Sequence, residues 1–336
     1  GYNSLGANTT GDNNTAVGHR ALDANTTADN NTAVGKDALG ANTTGAANVA
    51  VGKDALTSNT IGQKNIGIGL DSLQANTTGS NNVSVGSDSL DVNTTGSDNT
   101  SAGGSSLGGN TTGNNNTAFG RRALLSNTTA HDNTAVGHDA LRANTTGTNN
   151  IGIGASALTA NTTGQYNTAV GFEALAANTT GIRNTAVGYE ALSDSNTTGN
   201  YNTALGNRAL RKNTGNYNTG IGDYALDQCT TGQQNTAVGA GGPLGSLTTG
   251  EFNTAMGSAA MDAVTTGSSN TAIGVHALSA VSTGSENTAI GHNAGAACTG
   301  DRGVFIGRGA CPNATSSSKG VAIGHDAGSN LTTADD

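Results

Sequence analysis

The sequence is poor in the side chains that ordinarily build a globular core. Among its 336 residues there is no Trp, aromatic residues make up 3%, and there are only two Met and two Pro. A conventional globule of this length needs large apolar side chains to offset the conformational entropy lost on folding. Charged residues are also scarce, at 11%, whereas disordered chains usually carry a high net charge. We therefore expect order that depends on regular backbone pairing.

Other shortages exclude several classes of function. The net charge of −9 offers no basic footprint for nucleic acid. No apolar run approaches the roughly 18 residues that span a bilayer, so we expect no membrane insertion in this segment. No Ser-His-Asp, paired-acid or Cys-His grouping occurs, and the glycines of "IGIG" belong to a repeat, not to a phosphate loop. We expect neither an enzyme nor a bound cofactor.

The three cysteines are an odd number, Cys229, Cys298 and Cys311. Cys298 and Cys311 fall on neighbouring copies of the repeat described below, where either a disulfide or two small buried side chains would fit. We favour the second interpretation. The chain begins inside a repeat and without an initiator Met, so we expect a processed product or a segment of something longer.

A phrase of seventeen residues, NNTAVGHRALDANTTAD at Asn13, recurs along the chain. We expect residues 1–239 to form regular copies, and residues 240–336 to form degenerate copies that act as a cap or a junction. One Asn of each copy defines a column in which side-chain amides can hydrogen-bond from one copy to the next. This predicted structural ladder comprises Asn14, Asn31, Asn48, Asn65, Asn82, Asn99, Asn116, Asn133, Asn150, Asn167 and Asn184.

Changes of register indicate which part of the phrase is a strand. Single residues are added after Leu192, lost after Leu210 and added before Leu244, always outside the block N-T-A-V-G. Because insertions are tolerated in turns and not in paired strands, the block is predicted to be the strand. Its second and fourth residues, such as Thr15 and Val17, are larger than its third. We expect the second and fourth side chains to point into the core.

These patterns predict an all-β fold, a parallel β-solenoid of about 20 rungs with a 17-residue period. Seventeen residues fit two short strands and two turns, with a positive φ at the Gly after the strand and at the Gly of N-T-T-G. With neighbouring rungs about 4.8 Å apart, 20 rungs would form a rod of roughly 95 Å. A helical fold is disfavoured, because a period of seventeen matches no sustained 3.5- or 3.6-residue pattern.

The phrases NVAVGKDAL at Asn48 and GVAIGHDAG at Gly320 resemble the YadA-like head repeats of trimeric autotransporter adhesins, whose phrase is close to S-V-A-I-G-x-x-A-x-A-x-G. The chain is also similar to the Asn/Thr/Gly-rich repeats of phage tail-fibre proteins. The resemblance covers nearly the whole chain. It implies a left-handed β-roll, a side-by-side homotrimer, and a surface that binds a host surface protein or glycan. We expect the small third-position residues to form the apolar seam of the trimer.

Four successive copies carry an acidic residue at the second position after the strand Gly, namely Asp37, Asp54, Asp71 and Asp88. Carboxylates 4.8 Å apart in water repel each other by roughly 0.9 kcal/mol. They must face solvent, pair with Lys36 and Lys53, or bind a cation such as Ca²⁺ through their oxygens. We favour a solvent-exposed column over a metal site.

Two further sets of residues are candidates for contact or modification. The rare aromatic residues cluster beside the predicted turns and mark a candidate contact surface, with isolated exposed rings as the alternative: Tyr166, Phe172, Tyr189, Tyr201, Tyr217, Tyr224 and Phe252. The N-T-T triplets match the N-glycosylation motif, although a ladder of Asn and Thr also produces this motif by chance: Asn8, Asn25, Asn42, Asn76, Asn93, Asn110, Asn127, Asn144, Asn161, Asn178 and Asn196.

Together these features favour a structural and adhesive fibre that is extracellular, at a cell surface or on a virion. Such a fibre could be a surface adhesin head, a phage tail fibre or an extracellular filament subunit, with itself as partner in a homotrimer or an end-to-end filament. One alternative is an ice-binding β-solenoid with Thr ladders, although the adjacent Thr side chains of N-T-T would diverge on a strand. Another is a glycosylated, archaeal-type surface filament.

Overall fold

The computed structural model describes residues 1–311 and 319–328, in two compact units, Gly1–Tyr166 and Asn167–Asp336. Each unit consists of three-residue strands joined by turns, and the described residues contain no helix. The predicted boundary at residue 239 lies inside the second unit. Residues 312–318 and 329–336 of the predicted degenerate region lie outside the described residues.

The first unit contains nine strands, one in each coil, where a coil is one seventeen-residue turn of the solenoid. Each strand pairs in parallel with the strand of the next coil, so that Thr15 lies opposite Thr32 and Val17 opposite Val34. The strands are β1 (Thr15–Val17), β2 (Thr32–Val34), β3 (Val49–Val51), β4 (Ile66–Ile68), β5 (Val83–Val85), β6 (Thr100–Ala102), β7 (Thr117–Phe119), β8 (Thr134–Val136) and β9 (Ile151–Ile153).

The second unit repeats this arrangement through the copies that are degenerate in sequence. Its register follows the insertions, with Thr185 opposite Thr203 and Thr236 opposite Thr254. The strands are β10 (Thr168–Val170), β11 (Thr185–Val187), β12 (Thr203–Leu205), β13 (Thr219–Ile221), β14 (Thr236–Val238), β15 (Thr254–Met256), β16 (Thr271–Ile273), β17 (Thr288–Ile290), β18 (Val304–Ile306) and β19 (Val321–Ile323). The predicted parallel β-solenoid with a 17-residue period is therefore confirmed.

The remainder of each coil is a chain of turns and not the second strand that we predicted. Arg20 and Leu22 both adopt the left-handed conformation, with φ of 55° and 52°, and the same two positions repeat this in most coils. This conformation costs an L-residue roughly 1–2 kcal/mol. It also orients the backbone toward the next coil, where the N–H of Leu22 donates to the carbonyl of Ala38 at 3.0 Å. Hydrogen bonds of this kind in successive coils offset the strain.

Two glycines that recur at fixed positions of the coil have different roles. Gly18 after the strand has a φ of 143°, as predicted. Gly45 of N-T-T-G is not in the left-handed region, so that part of the prediction is wrong. A Cβ on Gly45 would lie 2.3 Å from the carbonyl oxygen of Gly62, so the close approach of the next coil explains this glycine.

The core contains the middle residue of each strand, which is the third of the block N-T-A-V-G, and the Leu column, which is the Leu four residues after the strand Gly in most coils. The side chains of the strand therefore point in the reverse of the predicted directions. Ala33 and Leu39 are fully buried, whereas Thr32 and Val34 on either side of Ala33 point outward. The interior is too narrow for a larger residue: a Cβ on Gly67 would lie 3.3 Å from the Leu56 side chain of the preceding coil. The opposite wall thus fills the space, and the third position remains small.

One coil has a large side chain at the small position of the strand, and two glycines make room for it. Phe305 is the middle residue of its strand and is fully buried. Gly295 stands where other coils have Leu, and a Cβ there would lie 2.7 Å from Cδ2 of Phe305. Gly303 stands where other coils have the ladder Asn, and a Cβ there would lie 2.4 Å from Cζ of the same ring. The phenyl ring fills the space that two omitted side chains leave.

The cysteines also belong to the core. Cys229, Cys298 and Cys311 are buried and are not joined by a disulfide. Burial raises the pKa of the Cys229 thiol to about 12. Cys229 and Cys298 take the position of the N-T-T asparagine, which other late coils fill with Leu247, Val264 or Val281.

Candidate functional site

The outward sides of the strands present apolar residues to solvent. We call the first and third residues of each strand, which are the second and fourth positions of the block N-T-A-V-G, the strand face. Contiguous exposed apolar residues are typical of interaction surfaces. Its exposed apolar members in the first unit are Val17, Val34, Ile68, Val85, Phe119, Val136, Ile151 and Ile153. Those in the second unit are Leu205, Met256, Ile273, Ile290, Val321 and Ile323.

This surface corrects the predicted trimer seam. The small third-position residues, such as Ala118 and Ala135, are fully buried inside their own coils and cannot contact another chain. Instead the strand face offers Thr, Val, Ile, Leu, Met and Phe at the second and fourth positions. The range of side-chain sizes at these two positions could have indicated that they are exposed, because a close-packed interior does not accept such variation.

The predicted aromatic residues lie in columns on both sides of the strands. We call the residue just before the ladder Asn the leading column; in the second unit it contains Arg183, Tyr201, Tyr217, Gln234 and Phe252. Tyr201 and Tyr217 stack with ring centroids 4.9 Å apart and planes 10° apart. Arg183 lies over the Tyr201 ring at 5.3 Å and donates to its hydroxyl at 2.6 Å. Tyr166 takes the same repeat position at the end of the first unit.

The other aromatic residues lie after the strands, in what we call the trailing columns. Phe172 and Tyr189 stack with centroids 5.5 Å apart. Arg208 lies 5.8 Å from the ring centroids of Tyr189 and Tyr224, and donates to Glu190 at 2.7 Å and to the hydroxyl of Tyr224 at 3.1 Å. Hydrogen bonds from Tyr189 and Arg208 lower the pKa of the Glu190 carboxyl. The predicted contact surface thus consists of one column before the strands and two columns after them. Arg183 and Arg208, which were not among the predicted contact residues, contact the rings of these columns.

The acidic column is paired with neighbouring side chains. Lys36 contacts Asp37 at 2.5 Å and Lys53 contacts Asp54 at 2.6 Å. The hydrogen bond from Lys36 lowers the pKa of the Asp37 carboxyl. Asp71 accepts a hydrogen bond from Gln74 at 2.9 Å and Asp88 accepts one from Ser87 at 3.0 Å. Among the described residues, no group of three or more His, Cys, Asp or Glu side chains could hold a metal ion.

The ladder asparagines before the strands close each coil and connect it to the next. The side-chain amide of Asn31 donates to the carbonyl of Gly45 at 3.0 Å. Its side-chain oxygen accepts the backbone N–H of Asn48 at 2.9 Å. The same pair of bonds recurs at Asn48, whose amide reaches Gly62 and whose oxygen accepts the N–H of Asn65. Buried amides therefore satisfy backbone groups that the turns would leave unpaired.

The N-T-T asparagines form a second ladder, which is the alternative to glycosylation that their sequence left open. Asn42 donates to the side-chain oxygen of Asn25 at 3.0 Å and to the carbonyl of Gly45 at 2.9 Å. An N-linked glycan replaces a hydrogen of this same amide. Ten of the eleven candidate sites, all but Asn8, are fully buried, so the folded coils leave no room for a glycan there. The first Thr of the triplet is also used, since Thr43 donates to the carbonyl of Thr60 at 3.1 Å.

Comparison with models of known protein families gave no match, and comparison with curated proteins gave no significant match. In the described part of the chain, no helix is both long and apolar enough to cross a bilayer.

Proposed function

We propose that this protein is a structural and adhesive extracellular fibre, displayed at a cell surface or on a virion, that presents binding residues on a self-associated scaffold. The observation that carries the proposal is the strand face, on which apolar side chains are exposed to solvent in many coils of both units. Its partners would be further copies of itself and a host surface protein or glycan. The resemblance of the repeats to those of YadA-like heads and phage tail fibres supports this proposal and suggests left-handed coils.

The strand face also favours a side-by-side homotrimer. A single core layer of Ala and Leu is thin, and outward Val and Ile side chains gain burial only when another surface covers them. Three copies around a common axis would bring three identical strand faces together in a closed assembly. Each coil would contribute its second- and fourth-position residues to a shared apolar seam.

Lysine substitutions test this seam. The double variant Val136→Lys, Ile153→Lys puts two charges on the strand face, where burial of unpaired charge is costly. Its matched control, Thr146→Lys, Thr163→Lys, puts the same charges on exposed N-T-T positions of neighbouring coils. We expect sedimentation equilibrium to show three times the 32.7 kDa chain mass for the wild type and the control, and one chain for the strand-face variant. A monomeric wild type would contradict the trimer.

The extracellular role has a direct test. Electron microscopy of the native material should show fibres attached to cells or to virus particles, and antibodies against the chain should label them. Labelling confined to the interior of cells would refute the proposed location.

A second candidate is an ice-binding surface, because the strand face carries an outward Thr column. The first residue is Thr in every strand from Thr168–Val170 to Thr288–Ile290. Hydroxyls at about 4.8 Å intervals could order water. Against this, the adjacent column varies from Val to Met and Phe. Thermal hysteresis of a solution of the protein would establish the ice-binding role, and its absence would exclude it.

A further inference from the structure

We infer that the two flanks of the strand face join neighbouring copies of the chain: the leading column of one copy packs against the trailing columns of the next copy, coil by coil. This inference rests on the proposed homotrimer and names the residues that set its register. The trailing columns are the first and second residues after each strand Gly. In the coil of β5, for example, Asn81 leads, and Ser87 and Asp88 trail.

The width of the strand face fits three copies around an axis. A leading residue stands six positions before the first trailing residue, which is up to about 20 Å of extended chain. A triangle with sides of about 20 Å has each side about 6 Å from its centre, and packed sheets place each backbone about 5 Å from the plane between them. One layer of outward side chains from each copy would therefore fill the space.

Closed symmetry determines which residues meet at the corners of this triangle. A ring of identical chains joins two different patches, so a leading edge meets a trailing edge. Rotation about an axis along the stack of coils carries each coil to the same height in the next copy. Residues of the same coil, or of coils about 4.8 Å away, are therefore partners, and like charges there would repel.

A positive leading residue of the first unit lies level with negative trailing residues. Lys64 is exposed, and among the described residues it forms no ion pair. Asp71 trails in the same coil and Asp88 in the next one. Gln74 and Ser87 hydrogen-bond to these carboxylates at 2.9 and 3.0 Å but carry no charge. The trailing side at this height thus stays negative and suits the Lys64 of a neighbouring copy.

Negative leading residues of the same unit lie level with a positive trailing residue. Arg121 is exposed and forms no ion pair within the described part of the chain. Asp98 leads the coil before it and Asp132 the coil after it. Asp139 trails in the coil of Asp132 and has the same sign, but Arg122 contacts it at 2.6 Å and offsets its charge. Arg121 therefore suits either leading carboxylate of a neighbouring copy.

The second unit pairs arginine with aromatic rings in the same way. Arg183 leads the coil that Tyr189 trails, and Tyr201 leads the coil that Arg208 trails. Within one copy, Arg183 lies 5.3 Å from the Tyr201 ring and Arg208 lies 5.8 Å from the Tyr189 ring. Joining the flanks would continue this alternation between copies and cover Tyr189 and Tyr201, which are 47% and 39% exposed.

The coil of Arg302 and Arg308 departs from this pattern, since both of its flanks are positive. Glu286 holds Arg302 at 2.8 Å, and Arg308 lies 3.1 Å from a ring nitrogen of His325. Both guanidinium groups thus have partners in their own chain, and we expect no lateral pair at this coil.

A partner other than the chain itself would not need matched flanks. Within one copy the flanks of a coil are separated by up to about 20 Å, well beyond the Debye length of about 8 Å at physiological salt, so their charges scarcely attract each other. A host receptor would contact one flank without reference to the other. A second copy meets both flanks of a coil at the same height.

Cross-linking tests the pairing. The variant Asn81→Cys, Ser87→Cys carries exposed thiols on both flanks of one coil. A bismaleimide whose reach is well below the about 20 Å between these positions in one chain should link this variant into covalent trimers on denaturing gels. The matched control Asn149→Cys, Ser87→Cys places the thiols four coils apart, about 19 Å along the stack, and should remain single chains. The native cysteines are buried, so the wild type should also remain unlinked.

Charge reversal tests the partner of Lys64, with sedimentation equilibrium as the measurement. Lys64→Glu should raise the dissociation constant of the trimer about tenfold, because an exposed pair contributes little but occurs three times. Lys64→Glu with Asp71→Lys exchanges the two charges and should return the constant to within about threefold of the wild-type value. A double variant no tighter than Lys64→Glu would overturn the pairing of these flanks.

Sedimentation of the cross-linking samples separates this inference from the proposed trimer. Trimers in which Asn81→Cys, Ser87→Cys gives only single chains on the gel refute the lateral pairing and leave the trimer standing. Covalent dimers without trimers, or cross-links equal to those of the control, also refute the pairing. A wild type that sediments as a monomer refutes the trimer itself, and the lateral pairing with it.

Discussion

Each buried asparagine acts as a cross-link whose value depends on its neighbours. Asn110 donates to Asn93 at 2.9 Å and to Gly113 at 3.1 Å, and it accepts from Asn127 at 2.8 Å. Asn196 occupies the same position in a coil that has an extra residue, and neither of its side-chain polar atoms has a partner. The same amino acid is therefore well bonded in one coil and unsatisfied in the other.

We expect Asn110→Leu to lower the free energy of unfolding by about 2–4 kcal/mol, because it leaves several buried polar groups unpaired. Asn196→Leu should change it by less than about 1 kcal/mol, since no side-chain hydrogen bond is lost there. Denaturant titrations of the two variants measure the difference. Equal destabilisation would show that the ladder contributes nothing beyond packing.

A double-mutant cycle tests the exchange of volume between Phe305 and Gly295. Phe305→Ala alone leaves a cavity and should cost about 3–5 kcal/mol. Gly295→Leu alone forces a side chain into the phenyl ring. The double variant restores the Ala and Leu of other coils, so it should be more stable than the sum of the single effects predicts, by about 1–3 kcal/mol. Strict additivity, measured by thermal denaturation, would contradict the shared volume.

The Cys229 thiol predicts a loss of stability at alkaline pH. An acid whose folded-state pKa is raised, here to about 12, contributes stability that is present below the unfolded pKa and is lost as pH rises. The unfolded thiol titrates near pH 8.5, so from there to about pH 12 the loss approaches about 1.4 kcal/mol per pH unit. Cys229→Val introduces the residue that another coil has at the equivalent position, Val264, and should lack this pH-dependent loss of stability. Parallel pH profiles for the two proteins would refute the prediction.

At the scale of the strand and the turn, the sequence predicted the element and its period but not the direction of its side chains. The insertions near Leu192 and Leu244 located the strand correctly because paired backbone cannot absorb an extra residue. The predicted side-chain directions were the reverse of the observed ones, because the larger side chains of a strand are usually the buried ones. Here Leu56 and its equivalents occupy the interior from the opposite wall, which only the folded coil reveals. The sequence left the N-T-T asparagines open between a ladder and glycosylation for a similar reason, since burial of Asn25 depends on how the turn closes.

Alanine substitutions at two glycines of the turns should have opposite effects on stability. Gly137 has a φ of 137°, and a Cβ there would lie 2.5 Å from the carbonyl oxygen of Gly154. We expect Gly137→Ala to cost more than about 2 kcal/mol. A Cβ on Gly104 would meet nothing within 4 Å, so Gly104→Ala should be neutral or stabilising by up to about 1 kcal/mol. Melting temperatures that fall equally would contradict this assignment.

At the scale of the molecule, each strand contacts only the strands of adjacent coils within its unit. Stability in such an array is a sum of local and nearest-neighbour contributions. In hydrogen exchange, Gly137→Ala should therefore accelerate amides of Thr134–Val136 and Ile151–Ile153 and leave those of Thr32–Val34 and Val49–Val51 unchanged. Uniform acceleration throughout the first unit would show that it unfolds as one cooperative body.

The register of the strands has a genetic consequence. Val83 pairs with Thr100 and Thr100 with Thr117, each offset by one copy of the phrase, so equivalent positions of successive copies lie opposite each other. Removing or duplicating seventeen codons anywhere in this stretch would join equivalent atoms and leave both neighbouring interfaces intact. Unequal recombination between the repeated gene segments would then change the length of the protein in whole coils. Selection could adjust the number of coils without changing the contacts between neighbouring coils.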